Sequence, residues 1–259
     1  MWSGTVSKAL VHFYEVRLKK SDLVEFSNDE IAAFGLLSQI ANEISSLSNL
    51  LSASHVHEGE IYPVDFDKLT QHNVLLRTLV SRVFEAFEFL VDLVQKNDGF
   101  RKEFLDLFAR LEGRVERLKK EKGYALNRNL RNETAFHYKF DVAKKNVKSA
   151  NVDLDASMFV SKMDGNCYFT FGEQLMFVQR LARFGESDAT LKEPEHLIEV
   201  LSMWTIKVIK LFKEIHSEVF GIVLDQADRT ARKTHYFVEH DLVFDADVGC
   251  LPLFVRGSS

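Results

Sequence analysis

The segment Arg-Asn-Glu-Thr-Ala-Phe-His-Tyr, over 131–138, combines side chains that can act on a phosphodiester without a metal ion. Histidine transfers protons near neutral pH, and arginine offers a permanent planar cation to phosphate oxygens. Arg131 and His137 are six residues apart, which on one straight helix would place them about 120° out of line. For the two side chains to converge, Arg131 must lie in a loop or first turn that leads into the helix of His137. Asn132 is a favoured N-cap for such a helix, whose N-terminus would also attract anions.

The pattern Leu-Arg-Asn-x-x-x-Phe-His-Tyr over 130–138 resembles the signature of the HEPN superfamily. HEPN domains are all-α. Many are metal-independent ribonucleases that act as dimers, and others are inactive modules that bind RNA or nucleotides. The resemblance covers the motif and the helices beside it, about half of the chain. Arg229 and His235 have the same spacing but lack the Asn after the arginine and the Phe-His-Tyr cluster, so we expect the site at Arg131 and His137.

The resemblance implies cleavage by attack of the ribose 2′-OH on the adjacent phosphorus. His137 would give or take the proton, and Arg131 would stabilise the charge that develops on the phosphoryl oxygens. We expect Asn132 to fix the local turn and contact the phosphate, and Tyr138 and Arg128 to position the RNA. The expected protein is an endoribonuclease that needs no metal or other cofactor, with two protomers joining their motifs in a homodimer. A toxin or phage-defence role would add an antitoxin or defence-system partner.

Two other functions fit the same residues. A non-catalytic module of the same fold would hold RNA or a nucleotide with Arg131 and His137 but would not cut it. A purely structural helical interaction protein would use the arginine to bridge helices and would bury the histidine in its core. A site requires both side chains in a positively charged groove that solvent can reach, and this placement separates the alternatives.

The motif lies in the one strongly basic stretch of a chain whose formal net charge is −5. Residues 101–148 hold 14 Lys or Arg against seven Asp or Glu, a net charge of +7, and the rest of the chain carries −12. An overall acidic chain argues against a protein that coats nucleic acid broadly. The basic stretch is therefore either a solvated helix face or an RNA-binding surface around the motif.

The composition is that of an ordinary globular protein, with 46% hydrophobic and 27% charged residues in 259. Cys167 and Cys250 form neither a metal-ligand spacing nor a disulfide framework. The chain opens without a signal-peptide pattern, and no apolar run reaches membrane-spanning length. We therefore expect a cytoplasmic protein without a membrane partner.

Apolar residues recur every three or four positions along most of the chain, and only three prolines occur, so long helices are predicted. Ser27 and Glu30 form a capping box at the start of the first helix, and residues 55–65 are predicted to be a loop. The predicted helices cover 28–54, 68–96, 100–122, 132–146 and 195–228.

A tight Asp-Gly turn at 164–165 joins two β-prone runs, which predicts a hairpin over 158–171 that packs on the helices. Strand is otherwise expected only in the C-terminal tail, 233–259, which we predict to be extended or partly disordered. The predicted fold is mainly α, an up-and-down helical bundle with a small β-hairpin insertion, in one HEPN-like domain over 1–232.

Overall fold

The computed structural model describes residues 7–54, 62–95, 99–131, 140–150, 158–159, 168–186, 194–227 and 232–242. The mainly α fold predicted from the sequence is confirmed over these residues. In chain order the elements are β1 (Ser7–Arg17), a 3₁₀ turn (Lys20–Leu23), α1 (Asn28–Ala53), α2 (Tyr62–Gln95), α3 (Lys102–Lys119), α4 (Lys122–Leu130), α5 (Phe140–Ser149), β2 (Met158–Phe159), β3 (Tyr168–Phe169), α6 (Thr170–Glu173), a π-helical turn (Gln174–Val178), α7 (Gln179–Glu186), α8 (Pro194–Ala227) and β4 (Arg232–Leu242).

The main hydrophobic core lies among α1, α2, α3 and α8. The apolar stripe predicted for the third helix is confirmed, because all of its members are buried on one face of α3: Phe104, Leu107, Phe108, Leu111, Val115 and Leu118. From Trp204 onward the stripe of α8 faces the same core, and from Leu197 to Val219 its members are at most 1% exposed. Burial of these stripes removes apolar surface from water and is the dominant stabilising contribution in this bundle.

A second, smaller core attaches α4 and α7 to the bundle. It joins Val80 of α2, Leu126 and Leu130 of α4, Leu181 of α7 and Leu201 of α8. Leu130 is 3% exposed and directly precedes Arg131. The end of α4 is therefore held against the body by apolar packing.

The first helix begins as predicted. Ser27 Oγ accepts a hydrogen bond from Glu30 N (3.2 Å), and Ser27 N donates to Glu30 Oε2 (2.8 Å), which completes the capping box. Glu30 is 2% exposed, and its other oxygen accepts from both Arg101 N (2.7 Å) and Arg101 Nε (3.1 Å). One buried carboxylate thus caps α1 and ties it to the start of α3.

Several predicted boundaries are wrong. α2 begins at Tyr62, so the last part of the predicted loop 55–65 is helical. The helix predicted over 100–122 is α3, which runs from Lys102 to Lys119, and the helix α4 that follows it from Lys122 to Leu130 was not predicted. Of the motif helix predicted over 132–146, residues 132–139 lie outside the described residues, and α5 runs from Phe140 to Ser149.

The predicted hairpin over 158–171 is described at only two pairs of residues. Met158 pairs with Phe169 and Phe159 with Tyr168 in antiparallel register, and the Asp-Gly turn lies outside the described residues. The second strand was predicted to reach 171, but the chain turns helical at Thr170.

The prediction that strand is confined to 158–171 and the tail is wrong, because β1 pairs with β4 near the two ends of the described chain. The pairing is antiparallel over eleven positions, from Ser7 with Leu242 to Arg17 with Arg232. This part of the predicted tail 233–259 is thus in a β-ladder, while 243–259 lie outside the described residues. Among the helices described here, none combines the length and apolarity that a membrane span requires.

Candidate functional site

Helix α4 carries Arg128 and ends at Arg131, so its packing sets the position of both side chains. Its second residue, Gly123, lies against Trp204 of α8 so closely that a Cβ atom there would be 2.3 Å from Trp204 Cβ. Trp204 is itself fixed, since its indole N–H donates to the Leu118 carbonyl (3.0 Å). Asn127 is fully buried and donates to the Gly123 carbonyl (2.7 Å). Helix α4 is therefore closely packed on α8.

Arg131 occupies the C-cap of α4, where the backbone is still helical (φ −56°, ψ −46°). The prediction that Arg131 lies in a loop or first turn before its helix is therefore wrong, since a helix ends at this residue. The C-terminal end of a helix carries partial negative charge, which stabilises the cation but does not itself attract an anion. Phosphate binding here would depend on the guanidinium group.

The guanidinium of Arg131 contacts helix α2. Arg131 Nη2 lies 3.2 Å from Glu85 Oε1, and the two side chains are 38% and 37% exposed. The other Glu85 oxygen accepts from Arg82 Nη1 at 3.2 Å, and Arg82 Nε lies 3.7 Å from a carboxylate oxygen of Glu43 on α1. These contacts form an alternating row of charges, Glu43–Arg82–Glu85–Arg131, which we call the charge row. It crosses from α1 over α2 to the end of α4.

Tyr124, Arg128 and Arg131 recur at intervals of four and three residues and therefore share one side of α4. Arg128 is exposed, and the Tyr124 hydroxyl donates to Glu88 Oε1 of α2 at 3.0 Å. Burial raises the pKa of Tyr124, and its hydrogen bond to the Glu88 carboxylate raises it further, while the positive charge of Arg128 opposes the rise. This side of α4 presents two guanidinium groups next to an un-ionised phenol.

The basic stretch 101–148 is partly neutralised by acids of other helices. Arg110 and Arg114 of α3 each lie 2.6 Å from a carboxylate of α8, Glu218 and Glu214 respectively. The hydrogen bond from Arg114 lowers the pKa of Glu214, although some burial opposes it. Part of the positive charge of this stretch is thus paired with acidic residues of α8 across the contact between α3 and α8. The exposed Arg128 lies elsewhere, on α4.

Helix α5, which follows the motif, is held by a buried amide. Asn146 is fully buried and donates to the Leu175 carbonyl of the π-helical turn (2.8 Å), while its oxygen accepts from Arg183 of α7. At the neighbouring end of that turn, Glu173 accepts two hydrogen bonds from Arg77 of α2, at 2.6 and 3.0 Å. These contacts position α5 relative to α2 and α7.

The structure places some of the predicted site residues and leaves others undescribed. Arg131 and Arg128 lie on α4, whereas His137, Asn132 and Tyr138 lie outside the described residues. Glu85 was missed by the sequence reasoning. It lies between Phe84 and Phe87 of the α2 stripe and 46 positions before Arg131, and no local pattern marks it as a partner.

Comparison of this chain with protein-family models, with curated protein sequences and with solved structures finds no match.

Proposed function

We propose that this protein is a metal-independent endoribonuclease of the HEPN type, in which Arg131 binds the scissile phosphate and His137 transfers protons. The contact between Arg131 and Glu85 is the observation that carries the proposal. It shows a guanidinium group that solvent can reach and that already donates to an oxyanion. Carboxylate and phosphate oxygens accept from guanidinium in the same fork-like geometry. An RNA phosphate can therefore take the place of the Glu85 carboxylate.

The exchange of Glu85 for phosphate costs little free energy. Both side chains of the pair are more than a third exposed, and ion pairs of this kind contribute about 0–1 kcal/mol to stability. Meanwhile Leu130 keeps the end of α4 in the smaller core. The guanidinium can thus change partners while the backbone that carries it stays in place.

In the proposed reaction the ribose 2′-OH attacks the adjacent phosphorus, and the 5′-oxygen of the next nucleotide leaves. His137 removes or supplies a proton at one of these oxygens. Arg131 stabilises the added negative charge on the non-bridging oxygens. Arg128, exposed on the same side of α4, binds the neighbouring backbone, and Asn132 and Tyr138 position the nucleotide. A toxin or phage-defence role, with an antitoxin or defence-system partner, belongs to the same proposal.

We propose a homodimer in which the motifs of two protomers meet, and the surface of α5 supports this assembly. Phe140 and Val147 are seven residues apart on α5 and are 73% and 55% exposed. The Lys144 ammonium lies between them in sequence, 4.5 Å from the centre of the Phe140 ring. Exposed apolar residues next to the motif would be covered in a twofold dimer.

The assembly is tested by light scattering of the wild type and of the double variant Phe140→Ser, Val147→Ser. The wild type should be a dimer at micromolar concentration, and the double variant a monomer. Val24→Ser is the matched control, because Val24 is 74% exposed and lies before α1. A monomeric wild type would refute the dimer, and so would a dimer that the double variant leaves intact.

The chemistry is tested by cleavage of a mixed RNA pool with wild type, Arg131→Ala, His137→Ala and Arg117→Ala. Arg117 is exposed on α3 in the same basic stretch. The Arg117→Ala substitution removes the same charge as Arg131→Ala and is therefore its control. Cleavage should be abolished in the first two variants and kept in the third. It should persist in EDTA and fail on DNA, which lacks the attacking 2′-OH.

The stability of the same variants separates a catalytic role from a structural one. Loss of a half-exposed ion pair should lower the unfolding free energy of Arg131→Ala by at most about 1 kcal/mol. If the wild type binds RNA through Arg131 but does not cleave it, the protein is a binding module and not a ribonuclease. Activity that disappears with EDTA would refute the proposed mechanism.

The second candidate function is a structural helical interaction protein. The cross-helix pairs favour it, since Arg131, Arg110 and Arg114 each bridge to a carboxylate of another helix. In that case the basic residues serve packing, and the wild type binds no RNA. Loss of about 2 kcal/mol or more in His137→Ala, as expected for a buried hydrogen-bonded group, would favour this candidate.

A further inference from the structure

A cleft between α1 and α2 lies at the other end of the charge row from Arg131. Its apolar lining comes from Leu36, Ile40 and Ile44 of α1 and from Ala86 of α2. Ile44 and Ala86 are buried and form the floor, whereas Leu36 is 46% exposed at the edge. The cleft therefore offers an apolar surface that solvent can reach.

The polar part of the cleft consists of Glu43, Arg82 and Glu85, three members of the charge row. Glu85 lines the cleft, and its carboxylate contacts Arg131 Nη2, so one residue joins the cleft to that guanidinium. A ligand whose anionic group replaces Glu85 on Arg131 would thus lie next to a residue that lines the cleft.

The size of the cleft limits what it can hold. Its volume is about 150 Å³. Pockets for whole ligands commonly measure roughly 300–1,000 Å³, so this cleft fits a single flat ring system and not an entire nucleotide. A flat ring can lie against Leu36 and Ile40 with its edge toward the carboxylates.

We infer that the α1–α2 cleft binds the base of the nucleotide whose phosphate contacts Arg131, and that it selects bases with an exocyclic amino group. This inference rests on the proposed function. Carboxylates only accept hydrogen bonds, so Glu43 and Glu85 complement the exocyclic amino groups of cytosine, adenine and guanine. Uracil has no exocyclic amino group, and its O4 carbonyl would place an acceptor against the carboxylates where cytosine places a donor.

Glu43 is the residue that reads the base. Its carboxylate accepts from Gln39 Nε2 at 3.2 Å and lies 3.7 Å from Arg82 Nε. Two carboxylate oxygens have about four lone-pair sites, so acceptor capacity remains for an amino group. Glu43 is 37% exposed, and neither of these contacts involves Arg131. A change at this position therefore tests base selection without altering the phosphate contact.

The test is equilibrium binding, by fluorescence anisotropy, of labelled 2′-O-methyl oligomers of A, C and U, which cannot be cleaved by 2′-OH attack. The wild type should bind the A and C oligomers about tenfold more tightly than the U oligomer. Glu43→Gln should reduce this difference severalfold, because an amide supplies a donor as well as an acceptor. Glu112→Gln removes the same charge from an exposed position of α3 and should leave the difference unchanged.

Leu36→Ala tests the apolar surface and should weaken binding of all three oligomers to a similar degree. Leu105→Ala is its control, since Leu105 is 37% exposed on α3. If the wild type binds the A, C and U oligomers equally and Arg131→Ala weakens this binding, the base subsite is overturned and the proposed function stays in place. A base preference unchanged in Glu43→Gln would also overturn it. If no oligomer binds, both the proposed function and the subsite are refuted.

Discussion

Substitution of Gly123 by alanine tests the close packing of α4 on α8. The added Cβ would lie 2.3, 2.7 and 3.1 Å from Cβ, Cγ and Cδ1 of Trp204. Favourable carbon–carbon contacts are about 3.5–4.0 Å, so the two helices must separate by more than about 1 Å. Trp204 cannot simply turn away. It is 1% exposed, hydrogen-bonded through its N–H and packed at 5.2 Å, centroid to centroid, against Phe87.

Two opposing effects determine the size of the change in Gly123→Ala. Alanine is favoured over glycine inside a helix by up to about 1 kcal/mol. Overpacking of a closely packed core costs about 1–3 kcal/mol, and the contacts here are at the severe end. We expect a net decrease of about 1–2 kcal/mol in the unfolding free energy. Because α4 must move, the RNA cleavage that we propose should decrease as well.

Gly113→Ala is the matched control, because Gly113 is exposed on α3 and a Cβ there meets no atom within 4 Å. This variant should be more stable than the wild type by about 0.5–1 kcal/mol. Urea unfolding followed by circular dichroism measures both, and the slope of free energy against urea should not change. If Gly123→Ala proves as stable as Gly113→Ala, the close contact with Trp204 is refuted.

Three further predictions concern stability. Glu30→Ala should cost on the order of 2–3 kcal/mol, measured by urea unfolding, because the capping box is lost and two donors of Arg101 lose a charged acceptor. Asn146→Ala should lower the melting temperature and increase amide exchange in the π-helical turn, since a buried carbonyl loses its donor; an unchanged exchange rate would contradict this. Burial lowers the pKa of His216, so its contribution to stability is present above its ordinary pKa near 6.5 and is lost as the pH falls toward the lowered value. The difference in unfolding free energy between wild type and His216→Gln should therefore decrease as the pH falls from about 7 to 5. The control is His196→Gln, because His196 is exposed, and its difference from the wild type should not change in this way.

The periodic apolar stripes of α3 and α8 were sufficient to predict these helices and their buried faces. A helix buries its apolar face whichever neighbour covers it, so the pattern carries this information without knowledge of the partner. The same holds for the capping box of Ser27 and Glu30, which is a contact within one turn. Patterns within a few residues therefore predicted the structure that depends on those residues alone.

Gly123 is a residue whose role could not be predicted from its neighbours in the sequence. The helix predicted over 100–122 ends directly before Gly123, and glycine commonly follows the end of a helix. Gly123 nevertheless lies inside α4, where the reason for a glycine is the approach of Trp204, 81 positions further along the chain. The pairing of β1 with β4 likewise joins segments more than 200 residues apart. Such contacts depend on how the whole bundle packs, which residue spacing does not encode.

The candidate site divides in the same way. The sequence by itself determined that an arginine and a histidine lie six residues apart in a basic stretch, and these two residue types support the chemistry proposed for them. Only the tertiary structure decided that Arg131 ends a helix, that Glu85 holds its guanidinium and that a cleft lies beyond that carboxylate. The physical reason is that an ion pair between helices depends on their distance and rotation. Both are determined by core packing across the bundle.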